Sequence, residues 1–385
     1  MRDEFISFSP PLIGDEEINE VIDTLKSNWI TTGPKTKRFE KEFANYFNAP
    51  CALALNSCTA SLHLALAANN IGEGDEVITT PMTFSATVNV IEHVGATPVL
   101  VDIEPDTLNI DAKKIEASIT KKTKAIMVVH YAGHPVDLDS VFEIAKQKKI
   151  EVIEDAAHAV SAKYKGKYIG SGDNPVAFSF YATKNLTTAE GGMLTGNSDF
   201  IEKARILSLH GMNKDAWKRY DKAGSWYYEI VSPGFKYNMT DIQSSIGIWQ
   251  LKKLSDFQKK REKIVEAYNS AFKGVNEIEL PVKKGDIKHS WHLYVIKLNL
   301  DTLTIDRDIF INELTTRNIG ASVHFIPIHI HPYYKNKYKF KAEDFPVALE
   351  NFKKIISLPL NAALTDNEVN YIIEAVLDII QIYKK

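Results

Sequence analysis

The stretch that decides the fold is residues 151–193, EVIEDAAHAVSAKYKGKYIGSGDNPVAFSFYATKNLTTAEGGM. One short apolar run ends at Asp155, and Lys184 follows a second apolar run, VAFSF at 176–180. Short apolar runs of this kind are typical of buried strands in a parallel sheet. The pattern therefore predicts that the ends of two strands deliver a carboxylate and an amine to one edge of a sheet.

These two groups suit the cofactor pyridoxal phosphate. The cofactor needs a lysine to form a Schiff base, and it needs an acid beside its ring nitrogen so that the ring can accept electrons. We expect Lys184 and Asp155 in these roles. The spacing by itself leaves a plainer alternative open, in which Asp155 only ends a strand and Lys184 is one surface cation among 46 lysines and arginines.

The sequence around both residues resembles that of the sugar-nucleotide aminotransferases of the DegT/StrS type. The motifs that carry this resemblance are DAAH at 155–158, FSF at 178–180 and KNLTTAEGG at 184–192. The resemblance implies the aspartate-aminotransferase fold of pyridoxal-phosphate enzymes, and it extends over nearly the whole chain. Three further motifs look closest to the branch of the family that aminates 4-keto sugars on UDP, which includes the aminoarabinose enzyme of lipid A modification. These motifs are NWITTGP at 28–34, HYAG at 130–133 and PGFKYN at 233–238.

The composition excludes several other classes of protein. With 44% hydrophobic and 25% charged residues in 385, it is typical of a soluble globular chain. The net charge of −3 argues against a nucleic-acid partner. No stretch approaches the roughly 20 apolar residues of a membrane span, and the N-terminus lacks a signal-peptide core, so we expect a cytoplasmic protein. Two cysteines are too few for a disulfide framework.

The order of the predicted elements indicates an α/β fold with a mainly parallel sheet. Strands are predicted near 52–55, 76–80, 97–102, 124–130 and 150–155, with helices near 84–93, 111–119 and 138–148. A long helical pattern at 240–273 is followed by predicted strands at 291–296 and 321–325 and helices at 307–317, 344–356 and 366–384. We therefore predict a large cofactor-binding domain, residues 1–245, and a smaller α+β domain, residues 246–385.

A phosphate site is predicted where the first strand turns into a helix, at Cys58 and Thr59. Free N–H groups and the helix dipole favour an anion there. Taken alone, the residues favour plain N-capping by Ser57 or Thr59, because the stretch is neither a Walker loop nor a GxGxxG loop. Related enzymes commonly have glycine where Cys58 stands, and a small residue still permits close approach.

The resemblance implies further cofactor contacts. Phe84 is expected to stack on the ring, and His158 to contact the cofactor as a polar group rather than as an acid or base. Ser179 alternates with two phenylalanines on its strand, so its hydroxyl points away from them and can reach the phosphate.

Substrate contacts are expected from Thr31, Glu190, His324 and His329. The last two belong to a histidine-rich stretch, VHFIPIHIHPYY at 323–334. A metal site is the alternative there, but histidines with this spacing and no nearby carboxylate are poor metal ligands, so we predict none.

A loop at 205–232 contains His210, Lys218, Arg219 and Tyr220, which suit a nucleotide diphosphate, although a solvated loop fits equally well. Asn238 is implied to cross a dimer interface to the neighbouring cofactor phosphate. The active unit would then be a homodimer.

The function that follows is transfer of an amino group from glutamate to a 4-keto sugar nucleotide, with UDP favoured by likeness alone. Relatives that deoxygenate a sugar have histidine at the position of Lys184, so the lysine favours transamination. A non-catalytic regulator that binds pyridoxal phosphate is a second alternative.

Overall fold

The computed structural model describes residues 3–213 and 227–385. Lys218, Arg219 and Tyr220, which were considered for nucleotide contact, lie outside these ranges. Among the helices of the described ranges, none has the length and apolar character needed to cross a membrane.

The bounds of the regular elements follow the chain. The α-helices are α1 (Asp15–Lys26), α2 (Pro34–Phe47), α3 (Cys58–Ala68), α4 (Ser85–His93), α5 (Ala112–Ile115), α6 (Leu138–Lys148), α7 (Ser198–Ser208), α8 (Asp241–Phe272), α9 (Arg307–Thr316), α10 (Pro332–Tyr338), α11 (Pro346–Phe352) and α12 (Asp366–Tyr383). The strands are β1 (Cys51–Leu55), β2 (Glu76–Thr79), β3 (Thr97–Leu100), β4 (Thr123–Val129), β5 (Glu151–Asp155), β6 (Lys163–Tyr164), β7 (Lys167–Tyr168), β8 (Val176–Ser179), β9 (Gly192–Gly196), β10 (Ile278–Glu279), β11 (Ile287–Lys288), β12 (Tyr294–Leu298) and β13 (Ile355–Leu358).

A seven-stranded sheet forms the centre of the fold, in the order β1-β9-β8-β5-β4-β2-β3. The pairs from β8 to β3 are parallel, and β9 runs antiparallel to both of its neighbours. Both faces of the sheet are buried, because successive residues such as Val152 and Ile153 belong to two separate hydrophobic cores. The predicted mainly parallel α/β fold is confirmed.

The strand directions bring the site residues to one edge of this sheet. Asp155 ends β5 and Ser179 ends β8, and these two strands are parallel neighbours. Gly192 begins the antiparallel β9 and therefore lies at the same edge. The turn from β1 into α3 also opens there, which explains how residues distant in sequence reach one place.

A third hydrophobic core lies around the sheet β10-β12-β13. The long helix α8 contributes Tyr268 and Phe272 to this core, and it contributes Leu251 and Leu254 to one of the two cores of the large sheet. The boundary predicted at 245/246 thus falls near the start of a helix that is shared by both parts.

Two predictions for the C-terminal part differ from the structure. The stretch 321–325 is not a strand, since only Ser322 makes an isolated bridge, to Ser357. The predicted helix at 344–356 ends at Phe352, and the apolar run after it forms β13, which pairs with β12. An apolar run of four residues fits a helix or a strand equally well, so tertiary pairing decides between them.

Candidate active site

A cavity of about 360 Å³ opens at the carboxyl edge of the large sheet. Its floor, as we name it, consists of residues at strand ends, at the start of α3 and in the loop after β8: Ser57, Cys58, Thr59, Asp155, Ser179 and Lys184. Its wall consists of His292, His324 and Phe325 from the C-terminal part. Phe84, His158 and Glu190 line the same cavity. Most of the residues predicted for cofactor and substrate therefore meet in one place.

Asp155 is a buried carboxylate with few protein partners. Its oxygens accept hydrogen bonds from the Thr87 hydroxyl, at 2.8 Å, and from the Ala157 N–H, at 3.1 Å. Burial raises the pKa of Asp155, and these two hydrogen bonds and Lys184 oppose the rise. A cation placed against this carboxylate would keep it ionised, which is what a protonated ring nitrogen supplies.

Lys184 lies in the loop between β8 and β9. Backbone hydrogen bonds close this loop, from Phe180 N–H to the Gly191 carbonyl and from Thr188 N–H to the Phe180 carbonyl, both at 2.9 Å. Burial lowers the pKa of Lys184 to about 8, while Cys58 and Asp155 act in the opposite direction. An amine with this pKa is available as a nucleophile near neutral pH.

The first turn of α3 supplies free backbone N–H groups to one end of the cavity. Ser57 is the N-cap and accepts the Ala60 N–H at 3.0 Å, so the capping alternative is present. It leaves the N–H groups of Cys58 and Thr59, which have no intrahelical acceptor, for a ligand. Glycine is required at 192, because a Cβ there would lie 2.5 Å from the Ser57 carbonyl carbon.

Ser179 faces the cavity as its alternation predicted. Phe178 and Phe180 point to the opposite side, where both are fully buried in the large core. The Ser179 hydroxyl oxygen accepts the Tyr181 N–H at 3.4 Å, and Ser179 lines the same cavity as the α3 turn. These residues together offer several donors to a phosphate.

Aromatic rings surround the middle of the cavity. His158 is stacked on Phe325, with ring centroids 5.6 Å apart, and Phe84 lies 6.1 Å from Phe325. Burial lowers the pKa of His158 well below its ordinary value, so the ring is neutral. Its Nδ1 is buried and bonds no group within residues 3–213 and 227–385. An unpartnered buried nitrogen, a lone carboxylate and an anion-binding turn in one cavity fit pyridoxal phosphate.

The wall includes two residues that the sequence analysis did not assign to the site, Phe325 and His292. The Nε2 of His292 lies 3.4 Å from the Lys184 Nζ. No motif marks it, because it lies 108 residues from Lys184 along the chain. His324, which was predicted, binds the Ser357 hydroxyl through Nδ1 at 2.9 Å, and burial together with Lys184 lowers its pKa to about 4.

Three predicted residues do not line this chain's cavity. His329 is a correction to the sequence prediction: it is fully buried, its Nε2 bonds the Ala342 carbonyl at 3.0 Å, and its ring packs on Phe345. Thr31 is exposed and accepts the Asp241 N–H through its carbonyl at 3.1 Å. Asn238 donates to the Thr32 hydroxyl at 2.6 Å, so Thr31 and Asn238 belong to one neighbourhood.

His210, the described member of the set considered for nucleotide contact, is exposed. Its N–H donates to the Phe235 carbonyl at 2.7 Å, and its side chain does not line the cavity.

Comparison with known proteins agrees with this geometry. A model of the DegT/DnrJ/EryC1/StrS aminotransferase family matches residues 11–377. The uncharacterized protein MJ1066 of Methanocaldococcus jannaschii is 54% identical, over 99% of each chain. The spore coat polysaccharide biosynthesis protein SpsC of Bacillus subtilis is 51% identical, over 99% of this chain and 98% of its own.

Solved structures agree as well. The proposed sugar aminotransferase Spr1654 of Streptococcus pneumoniae, in its PMP form, superposes with a TM-score of 0.92 at 40% identity, covering 98% of this chain and 99% of its own. PseC of Helicobacter pylori, an aminotransferase involved in the biosynthesis of pseudoaminic acid, superposes with a TM-score of 0.90 at 32% identity, covering 98% and 100%.

Proposed function

This chain belongs to the DegT/DnrJ/EryC1/StrS aminotransferase family, and from that premise we propose that it moves an amino group from glutamate to C4 of a UDP-linked 4-keto sugar. It is a pyridoxal-phosphate-dependent sugar aminotransferase. The identity of donor, keto position and nucleotide is the proposal. The observation that carries it is the single cavity in which Lys184, Asp155 and the first turn of α3 meet.

The floor supplies the groups that would hold the cofactor. Lys184 would bind the aldehyde carbon, Asp155 the ring nitrogen, and Cys58, Thr59 and Ser179 the phosphate. When bound, pyridoxal phosphate takes up the amino group and accepts the electron pair of the adjacent carbon. Stacking on Phe84 would exclude water from that carbon.

Lys184 has the second task of moving a proton. As a free amine it would remove the proton from the amino-bearing carbon of glutamate, and 2-oxoglutarate would leave. With the keto sugar the same amine would return a proton to C4, which gives the 4-amino sugar. The pKa of about 8 suits both directions, because neither the free amine nor the ammonium is scarce near neutral pH.

Contacts with the sugar are proposed for His324 and Glu190. Both line the cavity, and His324 is held by Ser357 so that Nε2 is left for a ligand. A neutral imidazole can accept or donate to a sugar hydroxyl without adding charge. The three motifs that resemble the UDP branch support UDP as the nucleotide of the substrate. Two of these motifs, at 28–34 and 233–238, are joined by the hydrogen bond between Thr32 and Asn238.

We further propose a homodimer in which Asn238, with Thr31 beside it, reaches the cavity of the neighbour. Asn238 does not line the cavity of its own chain. The apolar face of α1 is open, with Ile18, Ile22 and Leu25 exposed by 49%, 41% and 54%. An apolar helix face of this kind is suited to burial against a second copy.

The function is tested by separating the two half-reactions. Enzyme with bound cofactor is mixed with glutamate, and the loss of absorbance of the lysine-attached cofactor is followed. The enzyme whose cofactor now carries the amino group is then mixed with each member of a panel of keto sugar nucleotides. We expect bleaching with glutamate and recovery with UDP-linked 4-keto sugars. A glutamate-insensitive spectrum would favour the regulator, and recovery with a 3-keto sugar or with dTDP- or GDP-sugars alone would contradict the proposed substrate.

The dimer is tested by mixing two inactive variants, Lys184→Ala and Asn238→Ala, after subunit exchange. If Asn238 acts in the partner's cavity, each mixed dimer contains one intact site, and about a quarter of wild-type activity returns. If Asn238 acts within its own chain, no mixed dimer contains an intact site and no activity returns.

A further inference from the structure

His292 forms a chain of hydrogen bonds that ends at Lys184. Its Nε2 lies 3.4 Å from the Lys184 Nζ, and its Nδ1 lies 3.1 Å from Oδ1 of Asn185. Asn185 in turn donates through Nδ2 to the Ser290 carbonyl at 2.8 Å. His292 is buried, and so is Asn185. The chain is therefore shielded from water.

The directions of these bonds fix the proton on the ring. A backbone carbonyl only accepts, so the amide of Asn185 must turn Nδ2 toward Ser290 and Oδ1 toward His292. An amide oxygen also only accepts, so Nδ1 of His292 carries the hydrogen. Burial, and next to it Lys184, lowers the pKa of His292 well below its ordinary value, so the ring is neutral. Nε2 then presents a lone pair to Lys184.

The backbone that carries His292 is held from two sides. On α8, Arg261 donates to the carbonyls of Trp291 and His292, at 3.2 and 3.4 Å, and Gln258 donates to the His289 carbonyl at 3.3 Å. Such support fixes a side chain that does not itself belong to a regular element.

On its other side, the backbone that carries His292 is held by the segment HYAG at 130–133. The Ser290 N–H donates to the Gly133 carbonyl at 3.0 Å, and the His292 N–H donates to the Ala132 carbonyl at 3.1 Å. Gly133 has a φ of +96°, and a Cβ there would lie 2.1 Å from the Ser290 hydroxyl. Position 133 therefore requires glycine, because the segment that carries His292 approaches it closely.

We propose that His292 is a positioning residue for Lys184, whose Nε2 lone pair accepts a hydrogen bond from Nζ and so directs the amine into the cavity. The inference rests on the proposed role of Lys184. The acceptor also stabilises the ammonium form, since a hydrogen bond to the charged form favours it. His292 thus acts on the orientation of the amine and on the pH at which it becomes free.

The test measures how fast the cofactor-free enzyme captures pyridoxal phosphate at different pH values. Capture is monitored through the absorbance of the lysine-attached cofactor. The free amine is the nucleophile, so in the wild type the rate rises with pH through a midpoint near 8 and then reaches a plateau. The variants are His292→Leu, which removes the acceptor, and His292→Gln, which keeps one. The other titratable groups that share the cavity stay unchanged: Asp155, Cys58, His158, His324, Glu190 and Tyr181.

We expect the plateau rate of His292→Leu to fall about tenfold and its midpoint to move to lower pH, because the ammonium has lost a hydrogen bond. His292→Gln should recover part of both effects. His93→Leu, the same exchange on an exposed residue at the end of α4, should match the wild type. Nitrogen NMR of the cofactor-free enzyme should find the His292 hydrogen on Nδ1.

A wild-type midpoint and plateau in His292→Leu would overturn the inference, and so would a hydrogen on Nε2. If Lys184→Ala captured the cofactor as the wild type does, the proposed role of Lys184 would fail instead. The two failures are therefore distinguishable.

Discussion

The floor and the wall of the cavity differ in how the chain holds them. Floor residues such as Asp155 and Ser179 end strands of one hydrogen-bonded sheet. Wall residues lie on segments without regular structure, at 289–293 and 322–327. Distant side chains donate hydrogen bonds to carbonyls of these segments, Arg261 to that of His292 and Tyr131 to that of His324. From this difference we expect the two parts to have separate roles. The floor would carry the chemical step, and the wall would select the sugar nucleotide and orient the Lys184 amine. Four substitutions test that division, in order of expected effect.

The largest effect is expected from Lys184→Ala on the floor. Turnover should fall by at least about 10³-fold, because both the attachment point and the proton-transferring amine are lost. The cofactor should still bind without a covalent link, which absorbance and dialysis would measure. Lys163→Ala, at a lysine away from the cavity, is the control. Amination near the wild-type rate would remove Lys184 from the chemistry.

Asp155→Asn should slow the half-reaction with glutamate by about 10²-fold, because the carboxylate that would keep the ring nitrogen protonated, and the ring able to accept electrons, is removed while the shape is kept. Stopped-flow absorbance measures this step directly. Glu151→Gln, at the exposed start of the same strand, should leave the rate unchanged. A changed glutamate KM with an unchanged rate would assign Asp155 to binding and would blur the contrast between floor and wall.

On the wall, His324→Leu should raise the KM for the sugar nucleotide about tenfold, since one hydrogen bond is lost, and should change kcat less. The pKa of His324 is about 4, so the ring stays neutral above about pH 6 and the effect should be equal at pH 6 and pH 8. Steady-state kinetics provide the test, with His93→Asn, at an exposed histidine at the end of α4, as control. A loss confined to kcat would show that the wall shares in the chemistry.

The smallest effect is expected from Phe84→Leu, at a ring that lines the cavity and lies against the wall residue Phe325. Losing one aromatic stack costs about 1 kcal/mol, so the affinity for pyridoxal phosphate should fall about fivefold. Equilibrium titration of the cofactor-free enzyme measures this. Phe142→Leu on the exposed side of α6 is the matched control, and equal affinities in the two variants would argue against stacking.

Much of the floor could be predicted from the sequence because its determinants are local. The apolar runs before Asp155 and Lys184, the alternation around Ser179 and the small residues before α3 each lie within a few neighbours of the residue concerned. The wall could be predicted only in part. His324 was found through resemblance, His329 was assigned to the cavity although it is buried elsewhere, and His292 was missed.

The sequence by itself determined which segments form the parallel sheet, because burial on both faces requires continuous apolar runs, and it determined that an acid and an amine end two of them. The tertiary structure alone decided which of several histidines meets Lys184. That choice depends on Arg261, Asn185 and the Gly133 carbonyl, which approach one segment from remote parts of the chain. Contacts between residues far apart leave no periodic pattern, so only the folded chain reveals them.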